Sequence, residues 1–294
     1  MPGSINSIFC EDVVMVKILA DSTCDLSPAL ISKYKIGIIP LYVHLGEKEY
    51  KDGVNITPSE IFKWSDEHKE TPRTSAPGIK DIEALLDKGS TDEYVIFTIS
   101  SSMSSCYNDC VLAVEDLEME DRVRVIDSAN LSTGIGLQVI KAAELSASGM
   151  TGAEIATEIE KIKGKVRASF VVDTLTYLYR GGRCSGMSAF FGSALRIHPR
   201  IEVVDGAMHP EKKYRGKNTR FIMDYVRDME NDLKAAISDR VFITHSGCDR
   251  EIVEEVRKYL ESLGHFNEIL ETTAGAVISS HCGPGTLGVL FIAK

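Results

Sequence analysis

Between Val16 and Gly149 short apolar runs alternate with polar-capped stretches of helical period, and this alternation restricts the fold more than any other feature of the chain. Val16–Ala20 has the composition of a buried strand and runs into Asp21-Ser22-Thr23-Cys24-Asp25. Ser27-Pro28 then opens a helix to about Tyr34, with proline in the first turn, where its missing N–H has no intrahelical partner to lose. Ile36–Leu45 reads as the next strand, Thr57-Pro58-Ser59-Glu60 caps a second helix, and Pro77-Gly78 precedes an amphipathic helix over Ile79–Lys88. Tyr94–Ile99 follows as a strand, Met103–Leu117 as a helix, Val123–Asp127 as a strand and Thr133–Gly149 as a helix. Strands separated by helices join parallel neighbours, so the first half is predicted to be a mainly parallel α/β sheet.

The pattern loosens near residue 164. Ala153–Lys163 is a polar helix, Lys165–Asp173 begins a less regular region, and Asp205-Gly206 after Ile201–Val204 marks a hairpin turn. Thr219–Ile237 reads as one long helix, Arg240–Thr244 as a strand, Arg250–Leu263 as a helix and Leu287–Ala293 as a closing strand. A chain of 294 residues exceeds what one hydrophobic core usually organises. The expected organisation is a flexible extension over residues 1–14, an N-terminal α/β lobe over 15–163 and a C-terminal lobe over 164–294, with a ligand cleft between the lobes.

Composition removes several function classes. The formal charge of −10 and pI near 5.3 argue against a nucleic acid or an anionic membrane as main partner, because both require a basic face. No apolar run approaches the roughly 20 residues that span a bilayer, and no export signal is visible, so a cytoplasmic protein without membrane insertion is expected. The seven cysteines are scattered without a C-x-x-C pair, which points to packed thiols in a reducing compartment and no metal centre.

Three hydroxyl- or imidazole-bearing segments stand out: Thr71-Pro72-Arg73-Thr74-Ser75-Ala76-Pro77, Thr98–Ser105, and His281-Cys282-Gly283-Pro284-Gly285. A strand ending at Ile99 with a helix soon after leaves free N–H groups and the hydroxyls of Ser100 and Ser101 at the carboxyl end of the strand, where open α/β sheets bind ligands. The same serines also suit a helix cap, and both uses stay open. The two prolines hold Thr74-Ser75 extended. His281 beside glycine-rich backbone suits a polar or anionic ligand, although a core histidine bonded to a carbonyl is the alternative. Together these segments predict a small oxyanion site.

Other stretches suggest contacts. Residues 196–220 hold Arg196, Arg200, Lys212, Lys213, Arg215, Lys217 and Arg220 against Glu202, Asp205 and Glu211, the composition of a docking face. Arg180-Gly181-Gly182-Arg183 places two arginines on a tight turn able to grip a phosphate or carboxylate. Phe190 and Phe191 lie among small residues and would line an apolar tunnel or pack in the core. The chain has no G-x-x-x-x-G-K-[ST] loop, no G-x-G-x-x-G after a strand and no G-x-S-x-G elbow, which disfavours an autonomous ATP-dependent enzyme or serine hydrolase.

The ordered set Ile18-Leu19-Ala20-Asp21-Ser22-Thr23-Cys24-Asp25-Leu26, Thr74-Ser75-x-Pro77, Thr98-Ile99-Ser100-Ser101, Arg180-Gly181-Gly182-Arg183, Asp205-Gly206, Lys213-x-Arg215 and His281-x-Gly283-Pro284-Gly285 resembles the bacterial DegV family over residues 16–294. The resemblance implies two lobes, the second with a mixed sheet, and a long-chain fatty acid in a tunnel between them. It implies a carrier without cofactor or autonomous catalysis, similar to the subunit that presents a fatty acid to a separate ATP-binding kinase subunit for conversion to acyl phosphate. By the same resemblance Thr74, Ser75, Ser100, Ser101, His281 and Gly283 would surround the carboxylate, with His281 near the transferred phosphoryl group. Phe190 and Phe191 would line the tunnel, and Arg180, Arg183 and Arg215 would serve partner docking or phosphate stabilisation. The family usually carries Gln where Ala76 stands, and Ser-Gly-Thr where Ser104-Ser105-Cys106 stands. The rival readings are a lipid-binding sensor without kinase coupling and, further off, a serine hydrolase of acyl esters.

Overall fold

A computed structural model describes residues 15–184, 197–216 and 220–294. Residues 1–14, Phe190, Phe191, Arg196 and Lys217 lie outside the described residues. Along the first half run β1 (Val16–Asp21), α1 (Pro28–Tyr34), β2 (Gly37–Ile39), β3 (Tyr42–Leu45), β4 (Lys48–Lys51), α2 (Pro58–His68), β5 (Arg73–Ser75), α3 (Ile79–Glu83), β6 (Glu93–Thr98), α4 (Cys106–Asp116), β7 (Val123–Asp127), α5 (Thr133–Ala147) and α6 (Gly152–Lys163). The second half contains β8 (Val166–Val171), α7 (Thr176–Gly181), β9 (Ile197–Val204), β10 (Ala207–Arg215), α8 (Arg220–Asp228), α9 (Glu230–Ala235), β11 (Ala236–Ser246), α10 (Arg250–Ser262), β12 (Glu268–Thr273), α11 (Ala276–Cys282) and β13 (Thr286–Ala293).

The expected parallel sheet is present, in the order β2-β1-β6-β7 with every neighbour parallel. The second lobe holds a mixed six-stranded sheet, β10-β9-β8-β13-β11-β12, in which only β11 and β12 pair in parallel. Ser27, Thr57 and Thr151 cap α1, α2 and α6 through their side chains, the last two as full capping boxes. Asp205 and Gly206, both at positive φ, close the β9–β10 hairpin as its sequence predicts.

Two expectations fail for identifiable reasons. Ile36–Leu45 is not one strand: the chain breaks at Pro40, which has no N–H for a ladder, and β3 leaves the parallel sheet for a small antiparallel sheet with β4 and β5. Thr219–Ile237 is not one helix either. Met229 leaves the helical region and starts a second short helix, and Ala236 is extended, where it pairs with Ala293.

α5 positions the site. Its residues from Thr133 to Ile140 are all buried, because it packs against β1 and β6 of one sheet and against β8 and β13 of the other. A helix apolar on every side belongs in such a place. The outer face of the six-stranded sheet is covered by α8 and α10, whose Phe221, Tyr225, Ile252 and Val256 pack on Val241, Ile243 and Val289. Its inner face is left for α5 and the cavity beside α11.

Candidate functional site

β5 is the extended Pro72–Pro77 segment of the sequence, paired to β3 with Val43 opposite Thr74 and Tyr42 opposite Ser75. That register fixes Thr74 so that its Oγ1 meets His281 Nε2 at 2.9 Å, across 207 residues of chain. Ser75 Oγ stands 2.9 Å from His44 Nε2 on the more exposed side. His281 lies in the last turn of α11, Gly283 closes that helix with φ 75°, and the Gly283 N–H donates to Ser279 O at 2.9 Å.

The imidazole is held neutral. Burial first, and the Arg183 guanidinium second, lower its pKa to about 4. Its Nδ1 is enclosed without a hydrogen-bond partner. The Cα of Gly181 lies over that nitrogen so closely that a side-chain carbon there would overlap the ring. The Arg180-Gly181-Gly182-Arg183 turn therefore serves the site partly through its glycine, and His281 faces the cavity by its Nε2 edge beside the Thr74 hydroxyl.

The cavity between the sheets has a volume of about 320 Å³. Thr74, Ser75, Ser104, Ser105, Arg183 and His281 make one group of polar lining residues. Leu41, Ile99, Met103, Leu131, Phe170, Leu178, Met208, Val277, Ile278 and Leu290 form apolar walls contributed by both lobes. Hydroxyls further along are already used inside the protein: Ser246 donates to Ser279 Oγ at 2.9 Å, Thr286 donates to Cys282 O at 2.9 Å, and the Thr244 and Thr133 hydroxyls bond each other at 2.7 Å. Those side chains therefore present mostly carbon to a ligand.

Ser100 and Ser101, expected at the carboxylate, do not line this cavity. Ser100 is buried where the β9–β10 hairpin tip reaches the parallel-sheet lobe, and a Cβ on Gly206 would lie 2.5 Å from its Oγ. Its oxygen accepts the Ser102 N–H at 3.3 Å. Ser101 is exposed, and it donates from Oγ to Asp127 Oδ2 at 2.5 Å and from N–H to Asp127 Oδ1 at 3.2 Å. Ser104 and Ser105 line the cavity in their place, because α4 begins at Cys106 and not at Met103. The later helix start moves the anion-favouring N-terminus of α4 along the loop, to the turn where Ser104 Oγ accepts the Cys106 N–H at 3.2 Å. A count of helical period from Cys106, Cys110, Ala113 and Val114, all buried, carries the signal for that start.

Of the arginines, Arg183 lines the cavity and donates to Gly181 O at 2.7 Å. Arg180 is exposed and ties α7 to the loop after α2 through Lys69 O at 3.3 Å and Thr71 Oγ1 at 3.4 Å. Arg215 is exposed at the end of β10. The continuous basic face expected over residues 196–220 is interrupted: Arg200 is paired with Glu202 and Glu211, and Lys212 with Asp228. Among the described residues no group of three His, Cys, Asp or Glu side chains is spaced to hold a metal ion, and no helix is long and apolar enough to cross a membrane.

A family model described as "Uncharacterised protein, DegV family" matches residues 15–294. The chain belongs to the DegV family. It is 32% identical over 282 residues to a DegV domain-containing protein of Caldanaerobacter subterraneus, covering 95% of this chain and 99% of that one. It is 31% identical to a protein of Thermotoga maritima named fatty acid-binding protein, covering 93% and 96% of the two chains. Among solved structures, a DegV family protein from Thermus thermophilus, described by its fatty acid binding, superposes with a TM-score of 0.85 at 31% identity over 96% of this chain and all of that one.

Proposed function

We propose that this DegV family chain binds a long-chain fatty acid in the interlobe cavity and presents its carboxyl group to a separate ATP-binding kinase subunit, without cofactor or catalysis of its own. The observation that carries the reading is the Thr74–His281 pair standing among hydroxyls in a cavity whose walls are largely apolar side chains of both lobes. Burying an alkyl chain there yields about 0.8 kcal/mol per methylene, so affinity comes from the tail and the polar group orients the head. A neutral imidazole and hydroxyls offer hydrogen-bonding groups to a carboxyl head. The described fatty acid binding of the relatives from Thermotoga maritima and Thermus thermophilus supports the same ligand class.

The kinase coupling rests on chemistry the chain lacks. With no phosphate-binding loop in the sequence, the phosphoryl donor must be held elsewhere. Exposed Arg180 and Arg215, with Arg183 at the cavity, supply cations for a docking partner or for the transferred group. Neither sequence-suggested serine forms a hydrolase triad: Ser101 is bound to a carboxylate, and His281 is bound to a threonine.

Displacement of a fluorescent fatty acid from the full chain tests the reading. Saturated and unsaturated long-chain acids should compete, and acyl phosphate should form from ATP only when the kinase subunit is added. Failure of every long-chain acid to compete would overturn the ligand; competition without acyl phosphate would leave a lipid-binding sensor.

A further inference from the structure

α11, which carries His281, is only seven residues long, and its N-cap is Gly275, which has no side chain to cap it. Its first N–H groups are taken by carboxylates from far along the chain. The Gly275 N–H donates to Asp25 Oδ1 at 2.8 Å, and the Ala276 N–H donates to Asp52 Oδ1 at 2.7 Å. Each aspartate uses its second oxygen on a segment that reaches the cavity wall. Asp25 Oδ2 accepts the hydroxyl of Ser132, a lining residue, at 2.5 Å. Asp52 Oδ2 accepts from Ser22 Oγ at 2.8 Å, and Ser22 Oγ in turn accepts the N–H of Leu41, another lining residue, at 3.1 Å.

Gly275 sits between the two carboxylates. A Cβ there would lie 3.1 Å from both Asp52 oxygens and 3.2 Å from Asp25 Oδ1, so the missing side chain lets both acids approach without crowding. Both aspartates are buried. Burial is the largest influence on each and raises its pKa, opposed by these hydrogen bonds, and Asp52 and Asp21 push Asp25 further up. Buried carboxyls are a costly way to cap a short helix when one serine at the N-cap would satisfy an N–H. What they add is a fixed anchor in the other lobe. His281 lies six residues on from Gly275, about 9 Å along the helix axis, so a shift or rotation at the anchored end is carried directly to the imidazole.

We propose that Asp25 and Asp52 are positioning residues: by clamping the N-terminus of α11 from the parallel-sheet lobe, they set where His281 Nε2 meets Thr74 and tie that meeting to the cavity wall at Leu41 and Ser132. The consequence for ligand affinity rests on the fatty-acid reading; the consequence for His281 does not. The test uses the full chain with Asp52→Ala, Asp52→Asn, Asp25→Asn and Gly275→Ala, each studied below its melting transition. The first readout is the ring-nitrogen NMR signal of His281 without added ligand; the second is affinity for a fluorescent long-chain fatty acid.

Asp52→Ala should move the His281 signal and weaken binding by about fivefold to thirtyfold. Asp52→Asn and Asp25→Asn, which keep an acceptor for the helix N–H, should restore most of both. A folded Asp52→Ala protein with the wild-type His281 signal would overturn the proposal, even if its melting temperature has dropped, because a merely structural role lowers stability alone. If Asp52→Ala does not fold, Gly275→Ala, whose Cβ requires both carboxylates to give by a few tenths of an ångström, takes its place, and an unmoved His281 signal there overturns the proposal equally. A moved signal in wild-type-like amounts of folded protein that binds no fatty acid at all would retain the clamp and reject the ligand.

Discussion

Thr74-Ser75 and Ser100-Ser101 are similar in sequence, two adjacent hydroxyl residues beside a strand end, yet the fold gives them different work. Thr74 is placed by an antiparallel register and reaches across the lobes to an imidazole at the cavity. Ser100 and Ser101 follow a parallel strand, and their hydroxyls are taken up by a lobe contact under Gly206 and by Asp127. A hydroxyl's availability is therefore decided by which acceptor the fold brings within reach, and neighbouring sequence does not reveal it. The carboxyl end of β6 still matters for the cavity, but through Ser104 and Ser105 further along the same loop.

The contrast can be sharpened by four measurements. The largest effect belongs to His281, the imidazole of the Thr74 end. Its native pKa lies near 4 against an ordinary 6.5, so between those values the unfolded chain binds a proton that the native ring refuses. Stability contributed by the neutral ring is complete above about pH 6.5 and is lost as pH falls towards 4, by up to about 3 kcal/mol. Urea unfolding of wild type and His281→Gln across that range should show a stability difference that changes with pH; a constant difference would contradict the buried neutral ring.

Next, Thr74→Val keeps the shape and removes the hydroxyl bonded to His281, at a cost of about 2 kcal/mol, or roughly thirtyfold in fatty-acid affinity. Unchanged affinity in a displacement titration would remove Thr74 from the site. Gly206→Ala should act on the other segment. It places a Cβ against Ser100 at a residue with φ 77°, and should lower unfolding free energy by about 1–2 kcal/mol with affinity retained. Loss of affinity without loss of stability would return Ser100 to the cavity. The smallest effect is expected for Ser101→Ala, which loses one exposed bond to Asp127 and about 0.5–1 kcal/mol of stability, with no change in binding.

Much of the architecture was legible because local signals and the final fold agree. The capping residues Ser27 and Thr57, the apolar runs of β1 and β6, and the Asp205-Gly206 turn each state a local preference that tertiary structure leaves in place. Ile36–Leu45 broke at a local signal, Pro40, whereas elsewhere a distant partner decided the outcome. Ala236 leaves a helical pattern because Ala293 offers it a sheet edge. β12, with the polar sequence Glu268–Thr273, is a strand because β11 pairs with it in parallel, and its Glu271 is balanced by Arg250 and Arg257. The caps of α11 are Asp25 and Asp52, more than two hundred residues away, and no local pattern announces them. The site shows the same division. Thr74, Ser75, His281 and the Thr98–Ser105 segment holding Ser104 and Ser105 stood out by composition, whereas Met208 and Ser132 join the cavity only through the packing of two lobes.

The most direct test of the central claim is native mass spectrometry of the purified full chain, followed by denaturing extraction and identification of whatever is released. A lipid-binding cavity predicts a chain carrying one long-chain fatty acid, lost on denaturation and depleted in Thr74→Val but retained in Ser101→Ala. An unliganded mass that does not shift on incubation with saturated or unsaturated long-chain acids would contradict it.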